Sequence, residues 1–390
     1  VVRLIDQKRP LIVVGGGVGG LGAALALRQA GRDVVVYERA QSLLEVGAGL
    51  TLTPPGLRAL EALGLLQPVL AASDDASVTA FIDHASGDTL RITPPRGPKA
   101  SAIDHNRVMH RSDLHSMLVN AALAAGVQIH TGCDLVDLTQ DGVSAKAKFA
   151  DGRAATGSLV IGCDGLRSVA RRSMFGADAL RNIGLVAWRA LVPRAVLDDL
   201  LGCHESAVHI GPGATFVRYT VRHGELVNCV GIVKTNVVAA DTWSTPSTVT
   251  ELAAQFHGWS QSLHAVIERI PEGGLYKWPL FDRDPIDRWT DRRLGLLGDA
   301  AHPMLPFLGI GASMALEDAV ELARAVGEAK TPEQGLQLYE QARIGRASEV
   351  TLSSRRQADV MLSSASAETF RDGLPAPPSS VFDYDVRRGR

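Results

Sequence analysis

The 390-residue chain carries 40 Lys plus Arg against 42 Asp plus Glu, a formal charge of -2, with 46 % hydrophobic and 21 % charged residues. This is the balance of a globular protein large enough for two or three domains, and it gives no electrostatic reason to expect nucleic acid or an anionic membrane as a partner. Cys133, Cys163, Cys203 and Cys229 lie far apart, without metal-ligand or Cys-x-x-Cys spacing. They read as small buried residues in a reducing, cytoplasmic setting. The apolar run Leu11 to Val14 is too short for a membrane span, and no secretory leader is expected.

That run has the character of a strand buried in a parallel sheet. It leads into Gly15-Gly16-Gly17-Val18-Gly19-Gly20 and a helical stretch with Leu21, Ala24, Leu25 and Arg28 on one face. Gly31 ends the helix, and Val34 to Val36 form a second strand closing at Glu38. This is a βαβ opening. Val78 to Ile92 is shorter-patterned and polar, and the Pro- and Gly-rich stretch 94–98 reads as an excursion. Leu114, Met117, Leu118 and Ala121 mark another helix. Short strands are expected at Ile129, 135–138 and 143–149, the last two joined at Asp141-Gly142. Ser158 to Cys163 suits a core strand, followed by Asp164-Gly165.

From Ile183 to Lys234 the pattern becomes β-rich, predicting an antiparallel sheet with strands at 183–192, 214–221 and 226–233. A mostly helical stretch at 252–270 breaks near Gly258. Leu294 to Leu297 returns to a core strand before Gly298-Asp299, a long helix runs from about Ala312 to Val326, and one or more further helices are expected over 332–364. The predicted fold is α/β. A Rossmann-like domain is assembled from 1–75, 100–182 and 280–330, with an antiparallel sheet domain inserted (76–99 and 183–279) and a C-terminal helical region and tail (331–390). Arg387, Arg388 and Arg390 read as a solvated tail.

Gly15, Gly17 and Gly20 satisfy G-x-G-x-x-G directly after the first strand. The first permits the tight turn, the second clears the pyrophosphate's path, and the third lets helix and strand approach. The helix that follows aims its unpaired N–H groups and positive dipole end at the phosphates. Glu38 accepts hydrogen bonds from ribose hydroxyls and disfavours a 2′-phosphate there. The competing reading is a glycine-rich turn of purely structural use.

Gly47-Ala48-Gly49, Arg111-Ser112-Asp113-Leu114, Gly162-Cys163-Asp164-Gly165, Val186-Ala187-Trp188-Arg189-Ala190-Leu191, Gly298-Asp299-Ala300-Ala301-His302-Pro303 and Phe382-Asp383-Tyr384-Asp385-Val386 occur in this order. Together they resemble the single-component FAD-dependent aromatic hydroxylases, the group that includes salicylate hydroxylase, 3-hydroxybenzoate 6-hydroxylase and 6-hydroxynicotinate 3-monooxygenase, over nearly the whole chain. The resemblance implies a para-hydroxybenzoate hydroxylase-like fold with FAD in the Rossmann-like domain. It implies Glu38, with Arg39 beside it, at the adenosine ribose. Gly49 and Arg111 fall near the ribityl and phosphate region, with a structural ion pair as the alternative for Arg111. Asp299 falls at the ribityl chain, and Asp164 is shared between flavin and nicotinamide nucleotide or serves as a plain Asp-Gly turn. Pro306, Gly309, Gly311 and Ala312 belong to a constrained loop and helix start beside the flavin's pyrimidine carbonyl. His302 is read as a loop-ordering residue, and Glu317 and Asp318 as structural or charge-balancing positions.

The implied cycle takes a hydride from NADH or NADPH to FAD and transfers the distal oxygen of a C4a-hydroperoxide to an electron-rich ring carbon. The partners are a small aromatic acid or phenol, dioxygen and NAD(P)H, with a salicylate-like substrate favoured and a hydroxypyridine-type heterocycle or larger polyketide-like aromatic as the alternative. No metal, nucleic acid or membrane is implied, and a monomer and a homodimer both remain open. The inserted sheet is expected to cover the flavin. Tyr219 matches a substrate-facing tyrosine of the family, and alternation puts Thr215 and Val217 on its face but Arg218 and Thr220 on the other. Thr215 stands where relatives carry a histidine, and Ile310 where they carry glutamine, so the pocket edge is expected to be less polar. Trp188 is a candidate for shaping the pocket, and His209 and Thr51 for approaching it. Arg189 either supports the flavin loop or closes an interdomain ion pair.

Overall fold

The computed structural model describes residues 9–43, 47–93, 101–176, 180–202, 204–235, 244–373 and 378–388. Cys203, Arg390 and the 94–98 excursion lie outside them. Leu11–Val14 is buried at every position and pairs in parallel with Val34–Tyr37 on one side and Leu159–Gly162 on the other. Three consecutive hydrophobic runs thus supply the interior strands of a sheet covered on both faces. Gln128–His130 extends the sheet beyond Val34–Tyr37, while Leu294–Leu296 and the antiparallel edge strand Thr290–Asp291 extend it beyond Leu159–Gly162. The helices Val18–Gln29 and Gly311–Glu328 pack on this sheet and on each other, with Leu21, Leu25, Leu316, Ala319 and Leu322 in one core. Pro332–Met361 is a single 30-residue helix. It adds Leu336, Tyr339, Ala347 and Val350 to the same core.

The second large element is an eight-stranded sheet among the described residues. Its order is Thr245–Pro246, Leu275–Asp282, Arg181–Pro193, Leu226–Lys234, Ala214–Val221, Ala207–Gly211, Ala80–Asp83 and Thr89–Ile92. The polar 78–92 stretch therefore supplies two strands of this sheet, its inner one running parallel to Ala207–Gly211. One face is closed by the helices Arg194–Leu201, Val249–Gln255 and Gln261–Glu268, which bury Leu197, Leu252, Leu263 and Ile267 against Trp188, Ala190, Phe216 and Cys229. The other face looks toward the α/β unit, where Tyr219 and Val221 pack on Ala76 and Val108. Two tight links fix this approach. Asp113 accepts two hydrogen bonds from Arg222, in the turn between Ala214–Val221 and Leu226–Lys234, at 3.0 and 2.8 Å, and Asn228 accepts one from the Gly49 N–H at 2.9 Å.

The C-terminal segment is not a free tail. Arg58 donates to the carbonyls of Phe382 and Tyr384, Arg387 pairs with both Asp385 and Glu61, and Val386 is buried. Of its described arginines Arg388, whose side chain is 83 % exposed, has the solvated character expected of this stretch. No helix among the described residues is long and apolar enough to cross a membrane.

Candidate active site

The loop after the first strand has the geometry its glycines require. Gly15 adopts φ +112°, and a Cβ there would lie 2.3 Å from the Cys163 carbonyl oxygen; at Gly20 a Cβ would lie 1.9 Å from the Gly15 carbonyl oxygen. Gly17 differs. A Cβ at that position meets nothing within 4 Å, and Gly17 opens a helix that no side chain caps. Open ground in front of unpaired helical N–H groups suits an anionic phosphate. Glu38 is held beside this ground, accepting from the Gly16 N–H at 2.6 Å and the Ala40 N–H at 2.8 Å, with Arg39 exposed next to it. Buried His115 fixes the loop from behind through a 2.7 Å hydrogen bond between its Nε2 and the Gly16 carbonyl. In the sequence its only signal is its place one turn into the helix that Arg111 opens.

Arg111 is exposed at the first position of the Arg111–Ala124 helix, and its N–H donates to the Ala48 carbonyl at 3.0 Å. The Gly47-Ala48-Gly49 segment is thereby tied to that helix start. Asp164 behaves as a capping residue. One carboxylate oxygen accepts from the Ser168 hydroxyl at 2.5 Å and the other from the N–H groups of Val169 and Ala170 at 2.7 and 3.0 Å. This commitment favours the structural reading of Asp164 over a direct ligand role.

Asp299 stands in a short turn opened by Gly298 at φ +64°, and it is exposed between two buried neighbours. The turn is held from beneath. Asp318 accepts from the Gly298 N–H at 3.1 Å, from His302 at 2.5 Å and from Arg343 at 2.7 Å, while Glu317 pairs with Arg343 and Arg346 at 2.8 and 2.7 Å. Burial opposes ionisation of Asp318, but His302 and Arg343 overcome it and hold the carboxyl down at about 2. His302, Glu317 and Asp318 therefore order the loop and balance charge, as the sequence suggests. Pro306 starts the turn Pro306–Leu308, and Gly309, at φ +62°, lies so close to Thr51 that a Cβ would come within 3.2 Å. Gly311 and Ala312 begin the long helix, whose N-terminus carries no side-chain cap.

The inward face of the eight-stranded sheet completes the site. Tyr219 shares this face with Val217 and Thr215, its phenol contacts the Thr51 hydroxyl, and burial pushes the phenol up to about 12. The Thr215 hydroxyl, however, donates to the His209 carbonyl at 3.0 Å, so it is tied to its own hairpin. Phe307 reaches from the 306–308 turn to Val217, Val230 and Ile232 of the sheet. Thr51, Tyr219 and Phe307 thus converge near the uncapped helix start.

Three expectations need correcting. Trp188 faces the opposite way: it packs with Phe216 and Leu197 under the covering helices and donates to the Ser247 hydroxyl at 3.0 Å. His209 also points away, edge-on to Phe216 at 6.2 Å, and burial keeps its pKa near 3, so it is a neutral packing residue. In both cases strand parity decides, since side chains alternate across a sheet. Ile310 is 1 % exposed inside the α/β core and does not form a pocket edge. Arg189 closes no interdomain ion pair among the described residues. Its guanidinium lies over the Trp278 ring, 5.1 Å from the centroid, with Nε buried and unpartnered.

A family model described as an FAD binding domain matches residues 8–354. The chain belongs to this family of flavin-dependent monooxygenases and is an FAD-dependent hydroxylase of the aromatic-hydroxylase class that uses NAD(P)H. It is 34 % identical over 360 residues to 3-amino-4-hydroxybenzoate 2-monooxygenase of Streptomyces cremeus, covering 91 % of this chain and 88 % of that protein. It is 32 % identical over 352 residues to 3-hydroxybenzoate 6-hydroxylase 1 of Aquipseudomonas alcaligenes, covering 90 % and 88 %. A salicylate hydroxylase substrate complex shares the fold with a TM-score of 0.83 at 24 % identity, over 98 % of this chain and 97 % of that one. The residues present fit FAD. The space at Gly17, the Glu38 carboxylate beside it, the exposed Asp299 and two uncapped helix starts offer partners for phosphates, hydroxyls and a ring carbonyl.

Proposed function

We propose that the protein hydroxylates a small aromatic acid or phenol held between the flavin ring and the inward face of the eight-stranded sheet, a salicylate-like compound being the favoured type. One observation carries the reading. Tyr219 is hydrogen-bonded to Thr51, Thr51 lies against Gly309 just before the uncapped start of the Gly311–Glu328 helix, and Phe307 of the same turn packs on Val230 and Ile232 of the sheet's inward face. The 3-hydroxybenzoate and aminohydroxybenzoate specificities printed for the relatives point to the same substrate class. The Rossmann-like domain is taken as 1–75, 100–182 and 280–330, and the sheet domain as 76–99 and 183–279.

Bound FAD, reduced by NAD(P)H, supplies the activation of dioxygen and the transfer of one oxygen atom to the ring. This chain's residues place and protect that chemistry. Gly15, Gly17 and Gly20 would admit the pyrophosphate, Glu38 and Asp299 would accept hydrogen bonds from the cofactor's hydroxyls, and Arg111 would supply donors to its phosphates. The uncapped N–H groups at Gly311 and Ala312 would stabilise negative charge on the bound ring. Tyr219 is neutral across the working pH range, because its pKa lies near 12. It therefore donates to a substrate oxygen and does not take up a proton. Phe307 and Val217 exclude water from the same space. Ring activation then rests on the substrate's own phenolate or amino group.

The test is a screen of hydroxybenzoates, aminohydroxybenzoates and hydroxypyridines for stimulated NAD(P)H oxidation, with the products identified. A hydroxylated product from a benzoate supports the reading. Oxidation of NAD(P)H that yields only hydrogen peroxide with every aromatic contradicts it.

A further inference from the structure

We propose that Tyr384 is a positioning residue for the cofactor: its ring lies over Arg343 and Arg346, closes the buried ion-pair network beneath the Asp299 turn and thereby sets how tightly FAD is retained. The proposal rests on the reading that places Asp299 at the flavin. It assigns a task to the Phe382-Asp383-Tyr384-Asp385-Val386 segment, which folds back onto the α/β unit.

Two apolar anchors and two arginines hold this segment in place. Val381 and Val386, on either side of Tyr384, are buried in the core of the α/β unit. Arg58 of the helix Pro54–Ala62 donates to the carbonyls of Phe382 and Tyr384 at 3.3 and 2.9 Å. Arg346 of the helix Pro332–Met361 donates to those of Ser380 and Val381 at 2.8 and 3.2 Å. The backbone is thus fixed from two helices at once. The ring of Tyr384 is thereby brought over two guanidiniums, its centroid 4.0 Å from the Arg346 Cζ and 5.2 Å from the Arg343 Cζ.

Both cations gain from that ring. They stand three positions apart on one helix, which makes them surface neighbours, and they share Glu317, Arg343 at 2.8 Å and Arg346 at 2.7 Å. Arg343 is fully buried, and its Nη1 has no hydrogen-bond partner. The negative face of an aromatic ring stabilises a desolvated cation. A ring that also keeps water away strengthens the ion pairs behind it, because the local dielectric stays low. A leucine at this position would retain part of the cover and offer no electron-rich face.

Arg343 leads directly to the Asp299 turn. Its Nε donates to one oxygen of Asp318 at 2.7 Å, and the other oxygen accepts from the Gly298 N–H at 3.1 Å and from His302 at 2.5 Å. No side chain caps the turn at its start, and Gly298 holds φ +64°, so the carboxylate of Asp318 fixes the residue that precedes Asp299. A looser hold of Arg343 on Asp318 gives the turn freedom, with the exposed Asp299 at its centre. That loss falls on cofactor retention, since a turn ordered in advance binds without the entropic cost of being ordered.

Full-length apoprotein is titrated with FAD, following flavin fluorescence, as wild type, Tyr384→Phe, Tyr384→Leu and with pentafluorophenylalanine installed at position 384. The temperature is one at which far-ultraviolet circular dichroism shows each chain folded. Tyr384→Phe keeps an electron-rich face and is expected to hold FAD within about twofold of wild type. Tyr384→Leu is expected to raise the Kd about 3- to 30-fold, the range of a desolvated cation–π contact. The fluorinated ring fills the same space but reverses the charge on its face, so it is expected to weaken FAD as leucine does. A role in packing alone predicts that the fluorinated ring behaves like phenylalanine. That result, equal affinity in every variant, or a Tyr384→Phe as weak as Tyr384→Leu would each overturn the assignment. If Tyr384→Leu does not fold, Tyr384→Met makes the same comparison. Wild-type protein that takes up no FAD overturns the flavin placement and the assignment with it, whereas wild type that binds FAD while the variants break the pattern overturns the assignment alone.

Discussion

The ring of Tyr219 lies so close over the backbone of Gly49 that a Cβ at position 49 would stand 2.6 Å from Tyr219 Cε2 and 2.9 Å from Asn228. The strand that follows the Gly47-Ala48-Gly49 segment is therefore fitted to the sheet's inward face. Gly49→Ala should displace the tyrosine at a cost of about 1–3 kcal/mol in stability, the range for overpacking. The expected functional result is poorer coupling: more hydrogen peroxide and less product per NAD(P)H consumed. A variant with wild-type coupling would show that this contact does not position Tyr219.

Tyr219→Phe keeps the wall and removes the donor. Because the phenol is neutral at assay pH, its loss should not introduce a new pH dependence near neutrality. Turnover and coupling should fall by roughly 5- to 50-fold, in line with one hydrogen bond of about 1–2.5 kcal/mol to a substrate oxygen, with FAD content unchanged. Steady-state kinetics together with peroxide assays check this.

Gly17 and Gly20 should separate cofactor binding from folding. A side chain at Gly17 meets nothing in the protein, whereas one at Gly20 collides with the Gly15 carbonyl. Gly17→Val is expected to fold, with a native circular dichroism spectrum, and to purify without flavin. Gly20→Ala is expected to be unstable or insoluble. Normal flavin content in folded Gly17→Val would contradict the placement of the pyrophosphate.

Asp318 makes a pH prediction. Its folded pKa of about 2 lies below the ordinary carboxylate value of 3.8, so its contribution to stability is fully present above about pH 4. That contribution is lost as the pH falls toward 2. Asp318→Asn leaves Arg343 with a weakened partner in a buried network, and a cost of about 3–5 kcal/mol at neutral pH is expected. The difference from wild type should shrink through the pH 4 to 2 window, as denaturant unfolding at several pH values would show.

The layout of the fold was largely legible in the residues. The strands at Leu11, Val34, Leu159 and Leu294 are continuous apolar runs, and 214–221 and 226–233 match the observed elements almost residue for residue. The glycine motif was readable because each glycine answers a local steric demand. Orientation within the long strand was harder. The side of the sheet on which Trp188 or Arg189 lies depends on the antiparallel register that sets Trp188 against Gly231 and Arg189 against Val230, and a one-residue slip reverses both. His209 misled for the same reason. His115 and Asn228 are recognised only through contacts 99 and 179 residues away in sequence, which no local pattern contains. The role of His302 was readable because it falls in a His-Pro motif whose loop must be rigid whatever the substrate, and that of Glu317 and Asp318 because adjacent carboxylates on a long helix call for charge balance.

The most direct test of the central claim, that the sheet's inward face presents an aromatic ring to FAD, is isotope-labelled turnover of the flavin-loaded protein under ¹⁸O₂ with a hydroxybenzoate that stimulates NAD(P)H oxidation. The account predicts a product that has gained one ¹⁸O on the ring, formed in reduced yield by Tyr219→Phe and Gly49→Ala. Unlabelled product, or labelled product formed equally well by both variants, would contradict it.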